Sequence, residues 1–366
     1  MQSLIIVCVA FLGIQIIYLS LFLYVFLNKK SAPGQTPRPV SVVICAHDEE
    51  ANLRELIPLL LQQDHPEFEV IIVEDRGNDG TYDYLLSATR EQERLKMVRV
   101  VFQPDHISGK KFALTLGIKA AKYDWVLLTD ADCRPNSNRW LNHMSGCFIS
   151  ERQIVLGFSS YEKWPGLLNS FIRFETFLTG IQYIGMANLG HPYMGVGRNL
   201  AYRKSLFLNN KGFHSHLHLV SGDDDLFVNE HANRRNTVLA IGKEALVYSK
   251  PKTTWREFYY QKVRHLSAGK RYKFKSKLLL GLFSISWIAV WILVVPVAFF
   301  VPEGGWLAGL IVFRLVLLIL LFYDAPRKLG DRFEAWKVPL LDFIYAFYYL
   351  VAGLRALVSK KVRWRV

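Results

Sequence analysis

Two carboxylates, Asp130 and Asp132, close the apolar run Trp125-Val126-Leu127-Leu128-Thr129. A short continuous apolar run of this kind predicts a strand buried on both faces of a parallel sheet. Open α/β sheets bind ligands at the carboxyl ends of their strands. An Asp-x-Asp there offers two hard oxygen ligands to a divalent cation beside a diphosphate. A solvated turn carries the same tripeptide, so the assignment rests on what else shares that edge.

Three other segments compete for it. The run at 40–46 ends in Ile44-Cys45-Ala46-His47-Asp48-Glu49-Glu50, and the run at 69–73 leads into Glu74-Asp75-Arg76-Gly77-Asn78-Asp79-Gly80-Thr81. A carboxylate at a strand end can accept hydrogen bonds from a nucleobase or ribose, with the glycines permitting a tight turn. An ordinary Asn/Asp/Gly turn fits the second segment equally well. Gly109-Lys110-Lys111 opens a helical segment, where a lysine can steady a phosphate at the helix terminus or simply be solvated.

The elements that must position these groups alternate. Strands are expected at 40–46, 69–73, 97–102 and 125–129, with helices at 53–63, from 82 to 90 and at 112–121. That order implies βαβ units and a mostly parallel sheet. Beyond Asp132 the pattern loosens to a strand at 153–159 and an apolar helix at 167–184 that can touch a membrane. Residues 238–241 and 245–248 read as two short strands paired with each other.

The chain has 366 residues, and its apolar residues are unevenly placed. Residues 4–27 form a stretch long enough to cross a bilayer, followed by Lys29, Lys30 and Arg38. A signal peptide has its basic residues first, so this reads as an uncleaved anchor with the bulk of the chain cytoplasmic. The expected organisation is an anchor at 1–30, a linker at 31–39, a cytoplasmic α/β domain at 40–277 and a membrane region at 278–366. In that last region, 278–300 is a further span, 306–323 carries Arg314, and 339–357 carries Asp342 and Arg355. Pairing of Arg314 with Asp342 is the favoured reading, against lipid-headgroup contact. If all three late segments cross, the basic tail 360–365 lies outside, against the positive-inside tendency. The segment 339–357, rich in Phe and Tyr, is therefore expected to re-enter the membrane or lie at its interface.

The formal charge of +14 comes largely from basic residues between Lys250 and Lys277 and after Arg355, next to membrane segments. Such placement holds the cytoplasmic side and attracts anionic lipid, so nucleic acid is excluded as a partner. Cys8, Cys45, Cys133 and Cys147 show neither metal nor disulfide spacing, which fits a reducing compartment. A multi-pass protein of bacterial inner-membrane type is expected.

Taken in order, Cys-Ala-His-Asp-Glu-Glu, Glu-Asp-Arg-Gly-Asn-Asp-Gly-Thr, Gly-Lys-Lys-Phe-Ala-Leu and Asp-Ala-Asp resemble the nucleotide-sugar half of family 2 glycosyltransferases. The resemblance covers roughly residues 39–270 and implies a GT-A α/β fold flanked by transmembrane helices, with inverting chemistry. It implies that His47, Glu49, Glu74, Asp75, Lys110, Asp130 and Arg264 face the nucleotide sugar. It also implies that Asp130 and Asp132 hold Mg²⁺ or Mn²⁺. The loop with Gly195, Gly197, Arg198 and Asn199 resembles the one that borders sugar and acceptor. Ser221-Gly222-Asp223-Asp224-Asp225-Leu226 resembles the segment carrying the general base, with Asp223 or Asp224 in that role; the same run can cap a helix. Gln261-Lys262-Val263-Arg264-His265 resembles the Gln-x-x-Arg-Trp motif of membrane-bound members. His265 replaces the tryptophan, which puts acceptor type and processivity in question. Asp48 and Glu74 stand where asparagine and aspartate are common.

The expected reaction is therefore transfer from a UDP- or GDP-sugar to a hydroxyl of a membrane-associated, lipid-linked acceptor. The alternatives are a non-catalytic membrane scaffold that retains the nucleotide-sugar fold, and a processive polysaccharide synthase. The presence of both acidic sites argues against the scaffold.

Overall fold

The computed structural model describes residues 1–28, 36–105, 107–217 and 219–358. Most of the expected linker and the basic tail 360–365 fall outside the described residues. A single apolar helix, α1 (Gln2–Asn28), opens the chain. Alternation follows: β1 (Val40–Ala46), α2 (Glu50–Leu61), β2 (Phe68–Glu74), α3 (Thr81–Glu91), β3 (Leu95–Arg99), α4 (Gly109–Ala120) and β4 (Trp125–Leu128). Shorter elements come next: β5 (Cys133–Pro135), α5 (Trp140–Ser145), β6 (Ile154–Leu156), β7 (Ser159–Tyr161), then the long α6 (Leu167–Asn188). The chain continues through β8 (Leu200–Arg203), α7 (Lys204–Asn209), α8 (Asp225–His231), β9 (Thr237–Leu239) and β10 (Val247–Ser249). Five helices close the chain: α9 (Trp255–Ala268), α10 (Phe274–Ala289), α11 (Val295–Phe300), α12 (Leu307–Leu329) and α13 (Val338–Val358).

Two compact units result. One gathers the strands with α2 to α5, α7 and α8; the other gathers α1, α6 and the helices from α9 onward. The expected continuous division at 277 thus differs from the spatial one, because α6 and α9 cluster with the apolar helices.

In the first unit, β1, β2, β3 and β4 run parallel, and β1 and β2 are buried along nearly their whole length. That burial explains why they read as continuous apolar runs rather than alternating ones. The seven-stranded order is β3-β2-β1-β4-β8-β6-β9, with β8 antiparallel to both neighbours. The chain leaves β1 toward β2 on one side and finds β4 on the other, which makes the β1/β4 edge a topological switch point. A second sheet has the order β5-β10-β7. β9 and β10 therefore do not pair with each other, contrary to the sequence expectation: β9 pairs with β6, and β10 with β5 and β7. Such short segments carry no mark of their partner.

Helix α4 lies close on this sheet through Gly117. A β-carbon there would sit 2.6 Å from Val43 Cγ1 and 2.7 Å from Val73 Cγ2. Gly117→Ala is expected to destabilise the unit by about 1–3 kcal/mol through overpacking, read as a lowered Tm in detergent.

In the second unit, four helices are long and apolar enough to cross a membrane: Gln2–Asn28, Phe274–Phe300, Leu307–Leu329 and Ala335–Val358. α1 buries Cys8, Leu12, Gln15, Leu19, Phe22 and Phe26, alternately three and four residues apart, so one stripe faces its neighbours. Between α10 and α11 the helix widens to a π segment over Val290–Val294, ahead of Pro296, which has no N–H to donate. α13, the segment expected to re-enter the membrane or lie at its interface, is one unbroken helix of spanning length. Arg314 and Asp342 do pair: the two are 1% and 0% exposed, and Arg314 Nη2 donates to Asp342 Oδ1 at 3.0 Å. Gln15 donates to Ser286 Oγ at 2.7 Å, and Arg314 lies 4.5 Å from the Trp287 ring centre, so α1, α10, α12 and α13 share one polar cluster. Asp342→Ala strands a buried guanidinium and is expected to cost about 3–5 kcal/mol, while the double change Arg314→Leu with Asp342→Leu recovers most of it. Thermal unfolding of the detergent-solubilised variants measures both.

Candidate active site

The carboxyl ends of β1, β2 and β4 deliver their polar residues to one edge because the strands are parallel and in register, Val43 pairing with Ile71 and Leu128. Two of the loops there are braced against each other. Asp48, at φ 56°, accepts the Asn78 amide at 2.7 Å, and the Glu49 amide donates to Thr81 Oγ1 at 3.0 Å. Asp79 accepts the amides of Glu50 and Thr81 at 3.1 and 2.9 Å. His47 Nδ1 meets the Asp75 carbonyl at 2.5 Å. Arg76, also left-handed at φ 54°, folds back so that its Nε donates to Asp75 Oδ1 at 2.8 Å. Backbone in this region is unfavourable for residues with a side chain and recurs at functional sites.

Glu74 is turned inward. Its Oε1 accepts the Gly77 amide at 2.6 Å and its Oε2 lies 3.5 Å from Arg99 Nε, so it shapes the turn that presents Asp75. Glu49 accepts from Asn52 at 2.6 Å, and burial, reinforced by Asp132 and Asp130, raises its pKa.

The Asp130/Asp132 pair follows β4. Asp132 Oδ2 accepts from Ser249 Oγ of β10 at 3.2 Å. Burial and then the Asp130 charge raise the Asp132 pKa, against Arg198, Ser249 and Lys110. Two carboxylates held this way favour a cation between them. Arg134, which sequence reasoning did not single out, ties the turn behind them by donating to the carbonyls of Ala131 (3.0 Å) and Cys133 (2.7 Å) and to Glu55 (2.6 Å).

Lys110 sits at the centre. Its Nζ lies 3.0 Å from Asp130 Oδ1 and 3.3 Å from Asp223 Oδ2, so one ammonium joins the β4 pair to the acidic run before α8. Burial opposes its charge, but Asp130, Asp223 and Asp224 outweigh that and hold its pKa well above the ordinary value. Asp223 and Asp224 are pushed apart. Burial raises both, yet Lys110 and Lys111 draw Asp223 below the ordinary carboxylate range, whereas burial and the Asp223 charge raise Asp224. Asp224 is also the N-cap of α8: Oδ1 accepts the Asp225 amide and Oδ2 the Gly197 amide, each at 2.7 Å. The capping contact that the acidic run allowed is thus made by Asp224.

The glycine loop divides into two kinds of residue. Gly195 is a packing position, where a β-carbon would meet Leu156, Leu200 and Val228 at 3.1–3.2 Å. Asn199 is fully buried: it donates to the carbonyls of Phe158 (2.8 Å) and Ala245 (2.7 Å) and accepts from Trp140 Nε1 at 3.2 Å. It supports the loop from beneath rather than lining it. Gly197 and Arg198 lie toward the carboxylates: the Gly197 amide donates to Asp224 Oδ2 at 2.7 Å, and Arg198 feels the charges of Asp132 and Asp130. The Arg198 guanidinium lies 4.5 Å from the Tyr161 ring centre, and its Nη1 is buried with no hydrogen-bond partner. Gln261 and Arg264 lie on α9, in the other unit. All four cysteines are free thiols.

Among the described residues no cluster of three or more His, Cys, Asp or Glu forms a ready-made metal cage. Two carboxylates with substrate phosphates completing the shell suit Mg²⁺ or Mn²⁺, which keep few protein ligands.

A largely parallel sheet, with an Asp-x-Asp at its switch point and a second acidic segment joined to it through Lys110, has the layout of the GT-A fold. The chain belongs to Glycosyl transferase family group 2, whose model matches residues 125–328, over half of the chain; the Glycosyl transferase family 2 model matches residues 41–208. Among solved structures, the mannosyltransferase PcManGT of Pyrobaculum calidifontis, in complex with GDP-Man and Mn²⁺, shares the fold. Its TM-score is 0.62 at 17% identity, covering 98% of this chain and 99% of that one. The probable glycosyltransferase YdaM of Bacillus subtilis (strain 168) is 24% identical over 239 residues, 62% of this chain and 54% of YdaM. The 4,4'-diaponeurosporenoate glycosyltransferase of Staphylococcus haemolyticus is 23% identical over 192 residues, 52% of this chain and 49% of its own. The chain spans about half the length of the curated relatives it matches.

Proposed function

We propose that this chain transfers a sugar from a nucleoside-diphosphate sugar to a hydroxyl of a lipid-linked or membrane-delivered acceptor, in one inverting displacement. The observation that carries the reading is the Lys110 bridge from Asp130 to Asp223, which sets the donor-binding and base-bearing segments one side chain apart. Asp75 and His47 receive the nucleoside, with Glu49 at the border of the same pocket and Glu74 holding the turn. Asp130 and Asp132 would hold Mg²⁺ or Mn²⁺, which as a Lewis acid offsets the charge that grows on the departing diphosphate. The unpartnered Arg198 Nη1 is available to a diphosphate oxygen, and a guanidinium binds such oxygens well.

Of the two candidate bases, Asp224 is the better one. A general base needs a pKa near the working pH; Asp224 is raised while Asp223 is lowered and ion-paired. Asp224 takes the acceptor proton as the hydroxyl oxygen bonds to the anomeric carbon and the diphosphate leaves from the opposite face. The Gly197 and Asp225 amides fix the orientation of its carboxylate. Four helices of spanning length supply the membrane setting for a lipid-linked acceptor. The free cysteines accord with a cytoplasmic catalytic unit.

The test is release of nucleoside diphosphate by the full chain in detergent, over a panel of UDP- and GDP-sugars with Mn²⁺ or Mg²⁺ and a lipid extract. Metal-dependent release from one donor, raised by lipid, supports the reading. Absence of binding to every donor would remove it, and binding without release under every lipid mixture would favour the non-catalytic scaffold.

A further inference from the structure

The lysine beside Lys110 does something different. Lys111 is fully buried, and its Nζ donates to the carbonyls of His216 (2.6 Å), Leu219 (3.0 Å) and Ser221 (2.8 Å). An ammonium has three donors, and all three go to one stretch of chain. The Ser108 amide adds a fourth bond, to the Leu217 carbonyl at 3.1 Å. The first turn of α4 therefore holds the segment that ends, two residues after Ser221, in the acidic run. Gly222 then turns at φ 95°, a conformation that suits glycine, and Asp223 and Asp224 follow.

Burying a lysine solely to cap carbonyls is costly unless the geometry it enforces matters. Burial lowers the Lys111 pKa to about 8, against Asp223, Asp225, Asp224 and Glu230, and the neighbouring His216 is lowered to about 4. Lys111 thus keeps most of its charge at neutral pH, and only its ammonium form has the three N–H donors that the three carbonyl bonds require. The carbonyls of His216, Leu219 and Ser221 would otherwise point at one another across a short loop, a repulsion that the ammonium relieves.

We propose that Lys111 is a positioning residue for the general base: by gathering the carbonyls of 216, 219 and 221 it sets where Asp224 stands relative to the donor held by Lys110. Adjacent residues on one helical turn, pointing to different partners, thereby couple the two halves of the reaction. The inference rests on the reading of Asp224 as base given above. It predicts that loss of Lys111 damages turnover while leaving donor binding in place, because Asp75, Lys110, Asp130 and Asp132 are untouched.

The experiment compares wild type with Lys111→Met, Lys111→Gln and Lys111→Arg in the full detergent-solubilised chain. It measures kcat and donor KM, metal-dependent UDP or GDP affinity by calorimetry, and amide hydrogen exchange across 214–223. For Lys111→Met we expect kcat to fall about 10²-fold, the loss typical of a misplaced catalytic group, with nucleotide affinity changed less than about threefold and faster exchange confined to 214–223. Lys111→Arg keeps the charge and is expected to recover to within about tenfold of wild type. Lys111→Gln, with two donors, should fall between them and serves if the methionine variant does not fold. An unchanged kcat in Lys111→Met overturns the proposal, as does a parallel fall in kcat and nucleotide affinity, which would mark Lys111 as a general fold contact. A wild-type chain that binds no donor removes the transferase reading itself, a result distinguishable from either.

Discussion

Asp132→Ala is expected to lower kcat/KM by at least about 10³-fold, comparable to removing a principal electrostatic element from a transition state. Two properties of the site set that size. Asp132 is held in place by Ser249 Oγ, and burial together with the Asp130 charge raises its pKa, so a cation bound between the two would relieve that charge. Once it is gone, Asp130 is left partnered mainly by Lys110, and the developing diphosphate charge has no divalent counterion. Donor affinity in Mn²⁺ should fall toward the metal-free value, and excess metal should not restore it. Calorimetric titration of the nucleoside diphosphate with and without metal measures this. A variant that keeps metal-dependent affinity within about threefold of wild type would move the metal site elsewhere.

The second large effect is Asp224→Asn, expected to cut kcat about 10²–10⁴-fold while leaving donor KM nearly unchanged. The amide keeps an oxygen for one of the two backbone donors, so the α8 cap persists in part and the fold survives. Asp223→Asn should behave otherwise: it removes a counter-charge from Lys110 and therefore alters donor binding more than the chemical step. The pH profile separates the two. A general base works deprotonated, so activity falls as pH drops through the Asp224 pKa, and burial plus Asp223 place that acid limb above the ordinary carboxylate range. Asp223→Asn removes the neighbouring negative charge and should move the limb to lower pH. A limb that stays put in that variant would assign the base elsewhere.

The Asp223/Asp224 ambiguity shows where sequence reasoning stops. Both residues satisfy the motif, and alignment on Leu226 or on the Gly-Asp-Asp triplet selects different ones. Their different surroundings come from Lys110 approaching Asp223 and from Gly197 donating to Asp224, contacts between segments 113 and 27 residues apart. Glu74 and Asn199 teach the same point in the other direction. Their positions in the motifs suggested ligand contact, but both side chains turn inward to hold turns, one on Gly77 and the other on Phe158 and Ala245. Lys111 gave no signal at all, since nothing in a lysine's neighbours announces full burial.

The sequence alone determined β1 at Val40–Ala46, the βαβ alternation through β4, the apolar stretches behind the four helices of spanning length and the Arg314–Asp342 pair. Each of these depends on local physics: a run of apolar residues sets burial, a period sets helix or strand, and two opposite charges in apolar helices must find each other. The tertiary structure decided the insertion of β8 between β4 and β6, the separate partners of β9 and β10, and the inward face of the glycine loop. It also decided which carboxylate meets which cation. Those outcomes depend on which distant segment lies alongside. Strand pairing is carried by backbone groups common to every residue, and a pKa by whatever charge the fold brings within a few ångströms.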